Sequence, residues 1–225
     1  MKKYILLFIG FIIFTSCQNN IEETFKVRVA AVSDNTEYIT FNVYPENSQG
    51  NIVSGAVVTI TDESNAVHLF PFSSGNQVYT ETIEGTNSSV YTVQVSSNCI
   101  SQPRIIKIPH TVLTEKPALN VFNDSDGNSA LAGNELQSNK EIQLAWKSLG
   151  ENFVYNVSIK STLKTVFSKS TEIPLVIIPA NTLKENSNYT VYITAQKIYG
   201  DPVFLKDDFY SVSAITSSGI SFFTN

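Results

Sequence analysis

Basic residues are too few and too scattered to mark this chain as a nucleic-acid binder. Fifteen Lys and Arg stand against 20 Asp and Glu in 225 residues, and no basic cluster occurs, although a phosphate backbone needs one. Histidine is almost absent. His68 and His110 are far apart, and neither belongs to a ligand pattern such as His-Glu-x-x-His. Cysteine is as scarce, with Cys17 and Cys99 alone, so no Cys-x-x-Cys exists. A Gly-x-Ser-x-Gly elbow and a phosphate-binding glycine loop are missing too. The adjacent acids Glu22-Glu23 and Asp207-Asp208 are poor candidates for paired acid/base work, because neighbours on a strand point to opposite faces. We therefore expect no enzymatic activity. The enzymatic alternative is Cys99 with His68 or His110 as a nucleophilic pair, but a lone cysteine is more often a small buried filler. Long apolar runs are lacking as well: the longest, Tyr4 to Phe14, falls short of the ~20 residues of a membrane span. A single Met and no long amphipathic pattern argue against a helical fold. Fourteen Phe, ten Tyr and many Val, Ile and Thr argue instead for β structure.

What is present begins at the N-terminus. Met1-Lys2-Lys3, the short apolar run and Thr15-Ser16 have the layout of a secretory signal peptide. The next residue is Cys17, and Phe14-Thr15-Ser16-Cys17 resembles the bacterial lipobox, with Phe14 where leucine is usual. The resemblance implies that residues 1–16 are removed and that the Cys17 thiol carries diacylglycerol, with further acylation (palmitate-like chains) on the new N-terminus. Each buried methylene contributes about 0.8 kcal/mol, so two or more chains anchor stably. The expected location is the bacterial cell envelope, on the outer membrane. Acidic residues directly after such a cysteine act as a surface-export signal in some Gram-negative bacteria. Here Gln18-Asn19-Asn20 precede Glu22-Glu23, which leaves the periplasmic and surface faces both open. With Cys17 lipidated, Cys99 has no cysteine partner, so no intrachain disulfide is expected.

After a short polar tether, residues 17–24, the sequence divides into two β domains: 25–110 and 118–225, joined by a proline-bracketed linker, 111–117. In the first, Phe25, Val27 and Val29 alternate with Lys26 and Arg28, and Ile39, Phe41 and Val43 repeat the pattern, as in strands with one buried face. Further strands are expected around Val67–Phe70, Gln77–Thr82, Tyr91–Val95 and Ile105–Ile108. Gly55-Ala56-Val57-Val58 and Tyr91-Thr92-Val93-Gln94-Val95 resemble the carboxypeptidase-regulatory, transthyretin-like β-sandwiches. These also open uncharacterised lipoproteins found beside TonB-dependent transporters. The resemblance implies a seven-strand sandwich without catalysis.

In the second domain Ile142, Leu144 and Trp146 alternate on one strand, and Tyr155, Val157 and Ile159 on the next. Leu183 precedes Tyr189, which is followed by Val191, Ile193 and Ala195, and Ser221-Phe222-Phe223-Thr224 closes the chain. Residues 118–225 resemble a fibronectin type III domain. Trp146 matches its core tryptophan, and Leu183 and Tyr189 match its leucine and its tyrosine corner. The fold class expected overall is all-β, two tandem antiparallel β-sandwiches of the immunoglobulin-like kind. Two stretches exceed the family's usual length: Asn123–Leu136, and the segment between Ala195 and Ile220.

Those two stretches hold the candidate sites. Asp124, Asp126, Asn128 and Glu135 stand at positions one, three, five and twelve of a calcium loop, so a weak Ca2+ site is one reading. Ser129 at the bend position and the lack of flanking helices favour the other, a solvated turn. Tyr199, Phe204, Phe209 and Tyr210 either form a recognition loop at the end of the sandwich or belong to an added strand that buries its own rings. The expected role is a lipid-anchored accessory module that binds an envelope protein or a glycan. The alternative is a structural spacer or adhesin-like stalk, stiffened by calcium.

Overall fold

The computed structural model describes residues 25–34, 38–85, 88–98, 100–162 and 164–225. The expected signal peptide 1–16, the expected lipidation site Cys17 with the tether 17–24, and Cys99 lie outside the described residues. Among the described residues the only helical element is a single 3-10 turn, Ala130–Ala132, and every other element is a strand.

The first domain is a sandwich of four strands on four. One sheet holds β1 (Lys26–Ser33), β2 (Tyr38–Glu46), β6 (Val78–Glu84) and β5 (Phe72–Ser73). The other holds β4 (Val67–Leu69), β3 (Val57–Thr61), β7 (Val90–Ser96) and β8 (Arg104–Pro109). Strict alternation builds the core: Val27, Val29, Ile39, Phe41 and Val43 from one sheet meet Val58, Ile60, Tyr91, Val93 and Val95 from the other. The count is eight strands rather than the expected seven. The reason is Phe70-Pro71: β4 pairs with β3 and β5 with β6, so one stretch of chain changes sheets there. Proline supplies no N–H to a ladder, which makes it a natural crossing point.

The second domain is a fibronectin type III-like sandwich. A three-stranded sheet, β13 (Leu175–Ile178), β10 (Ile142–Trp146) and β9 (Leu119–Asp124), faces a sheet containing β12 (Thr165–Thr171), β11 (Phe153–Lys160) and β14 (Ser187–Gly200). Trp146 packs edge-on against Tyr155, ring centres 5.2 Å apart. The tyrosine corner is present: the Lys184 N–H donates to the Tyr189 hydroxyl at 2.9 Å.

The last strand of the second sandwich is split, and this joins the domains. β16 (Ile220–Thr224) pairs with the first half of β14, while β15 (Phe209–Thr216) pairs with the second half. At 14 residues, β14 extends roughly 45 Å at ~3.3 Å per residue, beyond its own sandwich. The hairpin it forms with β15 reaches the first domain, where β15 pairs in parallel with β1, from Val29↔Phe209 to Ser33↔Ser213. One continuous sheet results, in the order β12-β11-β14-β15-β1-β2-β6-β5, with β16 alongside β14. The extra length between Ala195 and Ile220 is therefore an added strand.

Gly200 is the last paired residue of β14 in that hairpin. Its φ is +75°, and a Cβ there would lie 2.1 Å from the Phe209 carbonyl oxygen. Glycine alone adopts this backbone without penalty. We predict that Gly200→Ala lowers stability by roughly 1–3 kcal/mol, read as an earlier urea midpoint with unchanged β content by circular dichroism.

Candidate functional site

The most elaborate polar arrangement lies where the sandwiches meet. β8 ends at Pro109, and the next residue, His110, turns inward instead of starting an exposed linker; it is 1% exposed. Its Nδ1 lies 2.7 Å from the Ser211 hydroxyl. Its Nε2 lies 3.2 Å from Ser33 and 3.1 Å from Ser213. Ser33 closes β1 of the first domain, whereas Ser211 and Ser213 belong to β15 of the second. The parallel register puts Ala31 beside Ser211 and Ser33 beside Ser213, so small residues on the inward phase leave room for the imidazole. The Tyr91 ring meets it edge-on at 6.1 Å, and the His110 N–H donates to the Ser89 carbonyl at 2.9 Å. A neutral imidazole suits this pocket, since hydroxyls can accept from one ring nitrogen and donate to the other.

Burial pushes the His110 pKa down from 6.5 to about 4. Among the described residues no carboxylate contacts the ring to offset that cost. The unfolded chain therefore binds a proton at its ordinary pKa while the folded chain resists, and stability must fall as pH drops from 6.5 towards 4.

The rest of the linker is also fixed. Leu113 is buried in the second core, and the Thr111 hydroxyl meets the Tyr199 hydroxyl at 3.0 Å. Lys147 and Glu115 form an exposed ion pair at 2.9 Å, the kind that adds little.

The four aromatic candidates cluster around this joint. Tyr199 contacts the linker, and Phe209 packs against the first domain's core. Tyr210, opposite Ala30, is half-buried, and burial raises its pKa. Phe204 lies in the hairpin tip with its ring 5.5 Å from the Arg28 guanidinium. On the other side Arg28 is 5.9 Å from the Tyr44 ring and pairs with Glu46. The structure thus brings all four rings to the junction, where the molecule's own groups contact them. Sequence reasoning named His110 only as a partner for Cys99 and missed Ser33, Ser211 and Ser213. The available signal was hydroxyl residues on the inward phase of β1 and β15, where an ordinary core strand would carry apolar side chains.

Of the calcium-loop candidates, the structure brings together only Asp124 and Asn128. Asp124 Oδ1 accepts the Asp126 and Asn128 N–H groups at 3.0 and 2.9 Å. Its Oδ2 accepts the Asn128 side-chain amide at 2.8 Å and the Gln137 N–H at 3.0 Å. Burial opposes ionisation, but these four donors outweigh it and hold the carboxyl below its usual pKa. Asp126 turns outward to Lys140 at 3.2 Å, and Glu135 is exposed. Among the described residues, no three His, Cys, Asp or Glu side chains are grouped to hold a metal ion. Asp124 is the organiser of a turn, and a cation there would have to displace its donors.

No family model matches the chain, and no curated protein matches it. Among solved structures it is similar to a chain from one crystal form of a cytokine receptor complex. The identity is 9% and the TM-score 0.38, over 87% of this chain and 95% of that one. A chain from a second crystal form is similar at the same identity and score, over 84% of this chain and 99% of that one.

Two predictions follow from the joint and the turn. Lowering pH from 7 to 4.5 should remove about 2 kcal/mol of unfolding free energy through His110, measured by urea titration; His110→Gln should flatten this part of the pH dependence. Asp124→Ala should cost about 1–3 kcal/mol by leaving its donors unpaired, and the loss should be equal in calcium and in chelator.

Proposed function

We propose that this chain is a lipid-anchored, non-catalytic protein of the bacterial cell envelope, built as a stiff two-sandwich arm that binds an envelope protein or a glycan. The observation that carries this reading is the shared sheet. Domains joined only by a flexible linker would swing; here backbone hydrogen bonds, a buried histidine and a pinned linker fix their relation. Such an arm suits a protein tethered at Cys17, because it holds recognition surfaces at a set distance from the membrane.

The non-catalytic part rests on access. His110 and Ser211 approach as closely as a base and a nucleophile, yet Ser211 is fully buried and among the described residues no acid orients the imidazole as a triad requires. A substrate has no route to that hydroxyl.

Partner contact is better served by surfaces that the fold leaves uncovered than by the rings of the joint. The outer face of the β4-β3-β7-β8 sheet carries Val57, Val67, Leu69 and Ile105, all exposed. Leu69, Thr59, Gln94 and Ile105 form one row across it. Val67, Leu69 and Val57 cluster at the β4–β3 edge of this face, and an exposed apolar cluster is a common mark of interaction surfaces. The resemblance of the first domain to lipoproteins beside TonB-dependent transporters supplies a class of partner to look for.

The stiff joint fits the second reading, a structural spacer, equally well, and binding separates the two. Native protein from detergent-solubilised envelopes should capture a stable partner. Val67→Ser with Leu69→Ser should lose it, whereas Tyr210→Ser should retain it. Loss only on changing Tyr210 would move recognition to the joint. No partner, and no glycan retained on an array, would leave the spacer reading. A melting temperature raised by calcium in the native chain but not in Asp124→Ala would favour the stiffened stalk.

A further inference from the structure

The hairpin between β14 and β15 ends in an apolar tip that no described residue covers. Val203 is 63% exposed and Leu205 is 83% exposed. Between them Phe204 faces the other way, onto Arg28, and adopts a positive φ of 53°. The Asp201 carboxylate fixes the turn, accepting the Val203 N–H at 3.0 Å, the Leu205 N–H at 2.9 Å and the Lys206 N–H at 3.1 Å. The Val203 N–H, opposed by desolvation and joined by the Leu205 and Lys206 N–H groups and the Lys206 charge, holds the Asp201 pKa below its usual value. Two large apolar side chains are thus held outward on a strained, hydrogen-bonded loop, without any packing role inside the fold.

The tip's position in the molecule indicates what covers it. Because β15 runs parallel to β1, the tip lies at the end of the molecule where β1 begins. The Val29 N–H donates to the Asp208 carbonyl at 2.9 Å, and Phe204 contacts Arg28. Phe25, the first described residue, is three positions before Arg28, about 10 Å along a strand. Residue 17 is eight positions earlier still, and no backbone can carry it farther than about 29 Å from Phe25. The other end of β14 points the second sandwich away from this pole.

We infer that the Val203–Lys206 tip seats in the headgroup–acyl boundary of the bilayer that holds the lipidated Cys17. Val203 and Leu205 enter the apolar layer, as the nonpolar side of an interfacial segment does. Lys206 extends its ammonium back to lipid phosphates. Asp207 and Asp208, both exposed, stay in water and set a shallow depth. The lipid and the tip together make a two-point attachment that fixes the tilt of the arm. The inference rests on the lipid-anchor reading, because only that reading brings a membrane to this pole.

The test uses the full chain, acylated in a bacterial host and reconstituted in phosphatidylcholine vesicles, with one new tryptophan per variant. Leu205→Trp probes the tip. Leu131→Trp, at an exposed site in the 3-10 turn of the second sandwich, probes the far end. The native Trp146 is buried and common to both. Lipids brominated high on the acyl chain should quench Leu205→Trp and shift its emission to the blue, leaving Leu131→Trp unchanged. An acylated protein that floats with the vesicles yet shows no quenching at either position overturns the tip and spares the anchor. Equal quenching at both positions means an arm lying flat, which also overturns it. A mass that shows no acyl chains on Cys17 removes the anchor reading and the tip with it.

Discussion

Backbone pairing between β1 and β15 is the constraint on which the rest of the arrangement depends. Each sandwich closes its own core, and either core alone would leave a row of unpaired N–H and C=O groups along an edge strand. Such edges attract other chains. Here one domain's edge satisfies the other's, through the segment from Val29↔Phe209 to Ser33↔Ser213. Two domains therefore behave as one sheet, and the direction of the arm is set by a ladder rather than by a linker.

That ladder also explains the polar cluster. A parallel pair places side chains of both domains in one inward row, and at Ala31, Ser33, Ser211 and Ser213 the row is small and hydroxylic. The space goes to His110. Buried polar groups cost free energy unless paired, and three hydroxyls pair this one. A correctly docked joint satisfies the imidazole, and a slipped register would leave it without partners. The cluster thus favours a single relation between the sandwiches, at the expense of acid tolerance. It holds the geometry of the hairpin whose tip faces the same pole as the start of β1.

Much of the fold was legible in the sequence. Period-two alternation located strands such as β1, β2, β7 and β14, because one face of each is buried against its own sandwich. Trp146, Leu183 and Tyr189 identified the second domain, since each is fixed by a local contact such as the Lys184–Tyr189 hydrogen bond. The candidate site was less legible. The extra length before Ile220 was visible and its rings were noticed, but the strand's partner was not. Backbone hydrogen bonds carry no side-chain signature, so every alternating strand offers an edge the same ladder. His110 was placed just before a proline-bracketed linker, and nothing local distinguishes a histidine facing solvent from one turned into a joint.

The sequence by itself determined which segments extend, which faces turn inward and where each sandwich closes. These follow from local chemistry: alternation, proline breaks and packing within a domain. Only the tertiary structure decided that the sandwiches share a sheet, that His110 lies among three serines of two domains, and that Val203 and Leu205 stand at the pole where the chain enters. Those facts depend on meetings between residues 77 to 180 positions apart, which no periodicity encodes.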